Sequence, residues 1–164
     1  MNLIDLIILV LFVLSFFSGY KTGLIVVFAF ICAFFLSLYL VPHLINISTT
    51  FFSKALLFNG HTLISISFIF TLLMLNAFIG KFFLLIADIL GITRISKNSF
   101  FAGAVNVLLS LLLVSMVIKS IDWANMYMLF SAQWKTSPAI HYLLELNNNF
   151  FKIIPINFSL PWKN

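Results

Sequence analysis

Four long runs of apolar residues, separated by short polar segments, dominate the chain. Each run approaches or reaches the roughly 20 apolar residues that an α-helix needs to cross the hydrocarbon core of a bilayer. The pattern therefore predicts an all-α, polytopic membrane protein. Its four transmembrane helices are expected at residues 3–18, 24–41, 62–80 and 101–121.

The segment Ser18–Gly23, with the sequence SGYKTG, interrupts the apolar pattern between the first two runs. One unbroken helix over residues 3–41 would be about 58 Å long, far longer than the bilayer core of about 30 Å. It would also bury the Lys21 ammonium at mid-depth, at a cost of roughly 2.5–3.5 kcal/mol. We therefore expect a turn, in which Gly19 and Gly23 permit tight backbone geometry and Lys21 reaches the head groups. The first two helices then form an antiparallel hairpin.

The segment after Pro42 is amphipathic rather than uniformly apolar. Because proline lacks a backbone donor, we expect the second helix to end at Val41. Apolar residues then recur every three or four positions, which predicts a helix that lies along the membrane surface. Its apolar positions are Leu44, Ile47, Phe51, Ala55 and Phe58, with Lys54 on the polar face and Asn59-Gly60 at its end.

The third apolar run continues past Gly80 and Lys81, with Asp88 inside the extension. This extension is either more helix that rises out of the membrane or a segment that turns along its surface. If it is helical, Lys81 and Asp88 project from a similar face, because seven residues make nearly two full turns. Residues 91–98 are expected to form the loop that leads to the fourth run.

The tail, residues 124–164, mixes polar and apolar residues, and we expect it to be interfacial or periplasmic and partly helical. Ser137 and Pro138 predict a helix start, with serine at the N-cap and proline at the first helical position. Asn147–Asn149 predicts the end of that helix. An apolar face is expected to rest on the outer surface of the membrane, available to a periplasmic partner. That face consists of Ile140, Leu143, Leu144 and Phe151.

Composition strengthens the membrane interpretation and excludes other classes of protein. The chain has 164 residues, of which 63% are hydrophobic and 8% charged, whereas soluble domains are roughly 25% charged. The net charge of +5 comes from scattered Lys and Arg residues, which form no basic stripe for nucleic acid. Cys32 is the single cysteine, and no Cys/His spacing predicts a metal site. We expect the lipid bilayer as a partner, no nucleic acid and no cofactor.

Few residues are placed for chemistry, and no nucleophile with a positioned base predicts an enzyme. Asp5 lies in the first turn of the first run, where a carboxylate meets the positive end of the helix dipole. We favour that structural role for Asp5. Asp88 is a functional candidate because an acid close to the membrane is costly. Its place near a helix end gives it an equally good structural explanation.

Small and amide residues indicate how the helices pack. Ala29, Ala33 and Ser37 recur at intervals of four, and small residues on one face let membrane helices approach closely. Asn76 in the third run and Asn106 in the fourth are expected at similar depth, where they can hydrogen-bond to each other. We favour a packing role for both amides over a role in a transport pathway.

Short motifs run through nearly the whole chain. They are the opening MNLIDLIILVLFVLSFFSGYKTGLI, with Asp5 and the Gly19-Lys21-Gly23 pattern, then FIGKFF with Gly80 and Lys81, FFAGAV with Gly103, and WKTSPAIHYLLEL in the tail. Together they resemble the colicin V production protein (CvpA) family of bacterial membrane proteins. The chain departs from that family at KNSFFAG, where no basic residue follows Asn98-Ser99, and at Val107, where a second glycine is frequent.

The resemblance implies a four-span protein of the bacterial inner membrane that is linked to colicin V production and to envelope homeostasis. It implies no catalytic mechanism. On this interpretation the protein is not an enzyme and acts through other membrane or periplasmic proteins, including a second copy of itself. The alternative is a subunit of a small-molecule or ion transporter, although the few charges inside the spans do not favour an ion pathway within one chain.

The basic residues near the membrane give a small excess on one side. Four spans place both termini together, opposite the turns at Lys21 and at residues 91–98. The side of the turns carries Lys21, Lys81, Arg94 and Lys97, whereas the side of the termini carries Lys54, Lys119 and Lys135. Because basic residues are enriched on the cytoplasmic side, we expect the turns in the cytoplasm and both termini in the periplasm. The resemblance implies the same orientation.

Overall fold

All regular elements in the described part of the chain are α-helices. The computed structural model describes residues 2–55, 60–91, 99–126 and 131–153, and Pro161. The helices are α1 (Leu3–Thr22), α2 (Leu24–Ala55), α3 (His61–Ile89), α4 (Phe100–Trp123), α5 (Ser131–Thr136) and α6 (Pro138–Ile153). Helices α1 to α4 are long and apolar enough to cross a membrane. The chain is an all-α, polytopic membrane protein, as the four apolar runs predict.

The break between the first two helices is much tighter than the sequence suggests. Helix α1 continues through Lys21 to Thr22, and α2 begins at Leu24. Gly23 alone separates them, with a φ of 87°, in the left-handed region that favours glycine. The separation of the two spans is confirmed, but the wider turn is wrong. Lys21 lies in the last turn of α1, where a cation meets the negative end of the helix dipole.

The predicted hairpin of the first two helices is wrong. Helix α1 packs mainly on α4, and α2 packs mainly on α3. Membrane helices choose partners by close backbone packing and interhelical hydrogen bonds rather than by apolar character, because lipid is equally apolar. The small and polar residues of α1 meet α4, as described below, so adjacency in sequence does not decide its partner.

Helix α2 does not end before Pro42, which lies inside it. The predicted surface helix is instead the second half of α2, whose 32 residues span about 48 Å. Neighbouring helices stabilise proline within membrane helices, and here the preceding turn is fixed by Leu38 and Val41 in the core. Further along, the Thr71 hydroxyl donates to the Ser48 hydroxyl at 2.7 Å, so this half packs on α3. Phe58 and Asn59 lie outside the described residues.

Helix α3 extends past Gly80 to Ile89, so the third apolar run is helical through its extension. Lys81 and Asp88 therefore do lie on a similar face of one helix. Helix α4 matches its predicted span closely. Ser99 caps it, because its hydroxyl accepts from the Ala102 amide at 3.3 Å. Residues 92–98, which include Arg94 and Lys97, lie outside the described residues.

The start of the tail helix is confirmed, and its predicted end is wrong. The Ser137 hydroxyl accepts from the Ile140 amide at 3.2 Å, so Ser137 caps α6 and Pro138 begins it. The helix then continues through Asn147–Asn149 to Ile153. Asn147 is 1% exposed, and its side-chain amide lies 3.5 Å from the Ser115 hydroxyl of α4. This inward placement explains why the asparagines continue the helix.

The apolar face of α6 belongs to the bundle rather than to a free surface. Ile140 and Leu143 form a buried cluster with Ile8 of α1 and Ile118 of α4. The expectation that this face rests on the membrane, available to a partner, is therefore wrong. A larger core joins α2, α3, α4 and α6; its buried members are Phe34, Leu38, Val41, Phe68, Leu72, Leu109, Met116 and Phe151.

Candidate functional site along the first helix

Asp5 fastens the start of α1 to the start of α6. Its Oδ2 atom accepts a hydrogen bond from the Asn2 backbone amide at 3.0 Å. Its Oδ1 atom accepts from the Ser137 hydroxyl and from the Ala139 amide at 3.4 Å. The carboxylate therefore meets unpaired amides at two helix N-termini, where negative charge is stabilised. The expected structural role of Asp5 is extended to a second helix, 132 residues away in sequence.

Asn2 adds a second attachment beside Asp5. Its side-chain amide donates to the Thr136 hydroxyl at 2.8 Å and to the Gln133 carbonyl oxygen at 3.3 Å. Both acceptors belong to α5. We call Asn2, Asp5, Thr136 and Ser137 the polar clamp, because these four residues hold the tail against the first turn of α1.

Close backbone contact joins α1 to α4 at Gly19 and Gly103. A Cβ atom added at Gly19 would lie 2.7 Å from the Ala102 carbonyl oxygen and 3.1 Å from the Gly103 Cα atom. A Cβ atom added at Gly103 would lie 3.0 Å from the Phe16 carbonyl oxygen. Only glycine permits this approach at either position. Gly19 is thus a packing residue inside α1 rather than the turn residue that the sequence suggested.

A line of polar side chains continues this contact toward the middle of both helices. The Asn106 amide donates to the Ser15 carbonyl oxygen at 2.7 Å and to the Ser15 hydroxyl at 3.0 Å. The Ser15 and Ser110 hydroxyls are hydrogen-bonded to each other. The Ser15 hydroxyl also lies 3.1 Å from the Asn106 carbonyl oxygen. These bonds fix the register of α1 on α4, because an unpaired amide is costly in a lipid environment.

The predicted bond between Asn76 and Asn106 does not form. Asn106 is bound to Ser15 of α1, whereas Asn76 lies in α3 with its Oδ1 atom buried and without a hydrogen-bond partner in the described part of the chain. Sequence gives the depth of both residues but not the rotation of their helices. Rotation turns Asn106 toward α1 and so separates the two amides.

The other residues singled out in the sequence lie on α2 and α3, apart from the polar clamp. Ala33 and Ser37 are fully buried in α2, and Ala29 is half-buried. A Cβ atom added at Gly80 would lie 2.5 Å from the Phe30 ring, so Gly80 accommodates an aromatic side chain of α2. Lys81 and Asp88 are exposed on α3. The structure therefore does not gather the predicted residues into one site.

Several residues of the site escaped the sequence reasoning, among them Asn2, Ser15 and Ser110. Ser15 and Gly19 are four positions apart on α1, but only the stripe on α2 was recognised as a small-residue pattern. The spacing of Ser15 and Gly19 is the signal that would have identified the α4-facing side of α1. No comparable sequence signal links Asp5 to Ser137, because that bond depends on how the tail returns to α1.

A small polar pocket, of about 230 Å³, lies between α4, α5 and α6. The Trp134 indole donates to Asp122 Oδ1 at 3.3 Å, and Lys135 and His141 line the same pocket. Within residues 2–55, 60–91, 99–126 and 131–153, no three His, Cys, Asp or Glu side chains are grouped so that they could hold a metal ion.

Comparisons with known proteins leave the site to be interpreted from its own geometry. No protein-family model, no curated protein and no solved structure matches this chain.

Proposed function

We propose that this chain is a non-enzymatic protein of the bacterial inner membrane that supports colicin V-type toxin production or export and envelope homeostasis. It acts through membrane or periplasmic partners, and a second copy of the chain is one such partner. The observation that carries the proposal is the state of α1. This helix is fixed to the bundle on one side by polar bonds and glycine contact, while its opposite side carries large apolar residues that the described part of the chain leaves about half exposed.

The exposure of α1 differs from that of the other long helices. In its most apolar stretch 17% of the residues are buried, compared with 33% in each of α2, α3 and α4. The side opposite α4, which we call the outer face of α1, has large apolar residues that are 46–60% exposed: Leu3, Ile7, Val10, Leu14 and Phe17. An apolar surface that is held rigidly is suited to packing against another membrane helix.

The residues on which the resemblance to the CvpA family rests support the same function. Asp5 joins α1 to α6, and Gly19 and Gly103 join α1 to α4. Their shared effect is to fix the position of α1 in the bundle. In the described residues these groups are engaged in packing and helix capping, which fits a protein that presents a surface to partners.

Toxin release tests the proposed role directly. The chain is expressed in a colicin V-producing strain from which the strain's own protein of this family has been deleted. We expect it to restore release of the toxin into the medium. Normal membrane levels of the chain without any restored release would contradict the proposal.

Site-specific photo-crosslinking tests whether the outer face of α1 contacts a partner. Val10 and Val13 form a matched pair, because both are valines of α1 with 46% and 45% exposure. Val10 lies on the outer face and Val13 lies beside it. A photoreactive residue at position 10 should yield adducts with protein in native membranes, and the same residue at position 13 should not. Equal adducts at both positions would count against a defined partner surface.

We further propose that both termini are periplasmic and that Lys21 faces the cytoplasm. The small excess of basic residues on the side of the turns supports this orientation. Alkaline phosphatase fused after Asn164 should be active, because it folds only outside the cytoplasm. A cysteine at position 21, in a Cys32→Ala background, should react with a water-soluble maleimide only after the inner membrane is permeabilised. The opposite orientation would be indicated if the phosphatase fusion were inactive and a reporter that fluoresces only in the cytoplasm, fused at the same position, were fluorescent.

The transporter alternative has one specific observation in its favour. Ser67 Oγ, Ser120 Oγ and Asn147 Oδ1 are buried without a hydrogen-bond partner in the part of the chain that the structure describes. Buried polar atoms normally bind protein, water or a ligand. Purified chain in liposomes would show substrate-dependent flux if these atoms lined a pathway. If the wild-type chain showed such flux and the Ser67→Ala variant did not, the transporter function would replace the partner-based proposal.

A further inference from the structure

A groove of about 820 Å³ runs along α1 beside its contact with α4. Its walls are apolar over most of its length, where they are formed by Leu9, Phe12, Val13 and Phe16 of α1 and by Val107 of α4. The groove thus lies at the side of α1 and is separate from the outer face, since Val10 does not line it. The Val107 side chain is the part of the apolar wall that α4 contributes.

One end of the groove is polar. Asn2, Asp5 and Thr136 of the polar clamp line that end, at the first turn of α1. From Asn2 to Phe16 the groove follows α1 for about 21 Å at 1.5 Å per residue. One leaflet of the hydrocarbon core is about 15 Å thick. A groove with a polar end at a helix terminus and an apolar length of this size matches a single lipid chain lying in one leaflet.

The charge at the polar end indicates which head group fits. Among the described residues that line the groove, Asp5 carries the only charge. A carboxylate offers about four acceptor sites, and three are used by Asn2, Ser137 and Ala139. Two of these three donors bind Oδ1, so donors from the described residues leave one acceptor site of Oδ2 unused. An ammonium group can donate to that oxygen, whereas a head group that bears only phosphate and hydroxyls brings a second negative charge toward Asp5.

We propose that this groove binds one phospholipid whose head group ends in a primary ammonium, as in phosphatidylethanolamine. One acyl chain lies along Leu9, Val13 and Phe16, and the ammonium donates to Asp5 Oδ2. The bound lipid fills the space between α1, α4 and the start of α6. This binding is independent of the protein partner proposed for the outer face.

Native mass spectrometry of the full chain, released from vesicles of equal phosphatidylethanolamine and phosphatidylglycerol, measures the retained lipid. The wild-type chain should retain one phosphatidylethanolamine. Val13→Trp should abolish retention because the indole fills the groove, whereas the matched Val10→Trp should leave it unchanged. Equal loss in both variants, or equal retention of the two lipids by the wild-type chain, would overturn the proposal. A dimer that replaces the lipid and disappears in Val13→Trp would also overturn it and assign the groove to a second copy.

A second pair of variants separates the binding of the lipid head group by Asp5 from its structural role in the polar clamp. Asp5→Asn removes the charge and should reduce the preference for phosphatidylethanolamine roughly 3- to 20-fold, the range of polar bonds between membrane helices. Ser137→Ala removes a bond of the polar clamp but keeps the charge, so the preference should persist. An equal loss of preference in both variants would show that Asp5 serves the clamp alone.

A crosslinking measurement on the wild-type chain does not depend on the folding of any variant. Phosphatidylethanolamine with a photoreactive group in its acyl chain should label residues 9–16 of α1 and the stretch around Val107. Labelling spread evenly over the exposed surfaces of α1 to α4 would overturn the proposal, because it would indicate only the general lipid shell.

Discussion

The α1–α4 pair and the α2–α3 pair belong to one bundle, yet the two pairs are held together differently. Helices α2 and α3 follow one another in sequence and meet through large apolar residues, among them Phe34 and Phe68. Helices α1 and α4 are far apart in sequence and meet through Gly19, Gly103 and the bonds of Asn106. The α2–α3 pair rests mainly on apolar packing, with the Thr71–Ser48 hydrogen bond beside it, whereas the α1–α4 pair rests mainly on backbone contact at glycine and on the bonds of Asn106.

This difference shows what a membrane helix needs when its partner is distant in sequence. In lipid, apolar contact alone gives little preference for one partner, because lipid tails are equally apolar. A short connection brings α2 and α3 close together, and their buried apolar residues then pack; a short connection is not sufficient, because α1 and α2 are joined by Gly23 alone and pack little on each other. Helix α1 lacks that advantage with respect to α4, so glycine contact and hydrogen bonds specify the pairing. The polar clamp then adds α6 to the same pair.

The largest difference in stability is expected between two single variants, each with alanine in place of a glycine of one helix pair. Gly19→Ala should destabilise the protein by about 1–3 kcal/mol, as overpacking does, because its Cβ atom meets the backbone of α4. Gly80→Ala should cost less, because the nearest atoms to its Cβ belong to the Phe30 side chain rather than to backbone, and a half-buried ring can shift more readily than a helix backbone. Alanine favours the helix by about 1 kcal/mol in both variants, so that contribution cancels. The free energy of unfolding of both variants in bicelles measures the difference. An equal loss of stability in both would contradict the distinction between the two helix pairs.

A smaller effect is expected from the two asparagines. Asn106→Leu should cost roughly 0.6–2 kcal/mol, because it removes the bonds to Ser15. Asn76→Leu should be neutral or stabilising, since the buried Oδ1 atom has no hydrogen-bond partner in the described residues. In double-mutant cycles Asn106→Leu should couple with Ser15→Ala and be additive with Asn76→Leu. Coupling between the two asparagines would instead support the bond that the sequence suggested.

The smallest effect is expected at the polar clamp. Ser137→Ala removes an N-cap and a bond to Asp5, which should cost about 1 kcal/mol. It should also make the tail more sensitive to limited proteolysis. Ser131→Ala, at the exposed start of α5, is the matched control and should change neither property. Identical proteolysis of the two variants would argue that the clamp does not hold the tail.

The number of the spans and the residues at which they begin could be predicted from sequence, because membrane thickness sets the length of an apolar run, whereas α1, α2 and α3 extend beyond their predicted ends. Ser137 could be recognised as a cap from its local pattern. The continuation of α2 through Pro42 could not, because it depends on packing of Leu38 and Val41 in the core. A rule derived from isolated helices predicts a break there, and tertiary contact overrides it.

The candidate site was harder to predict than the spans. Asp5, Gly19 and Gly103 were all recognised, but each with only part of its role. Their partners are set by the rotation of α1 about its axis and by the return of the tail, neither of which follows from hydropathy. The same limit explains why Asn106 was assigned to Asn76 rather than to Ser15.

Cysteine crosslinking in native membranes tests the pairing of α1 with α4 most directly. In a Cys32→Ala background, Ser15→Cys with Ser110→Cys should form a disulfide on mild oxidation, because the two hydroxyls are in contact. Leu14→Cys with Phe28→Cys, a pair that a hairpin of the first two helices would bring together, should stay reduced. A disulfide in the second pair and none in the first would contradict the pairing of α1 with α4.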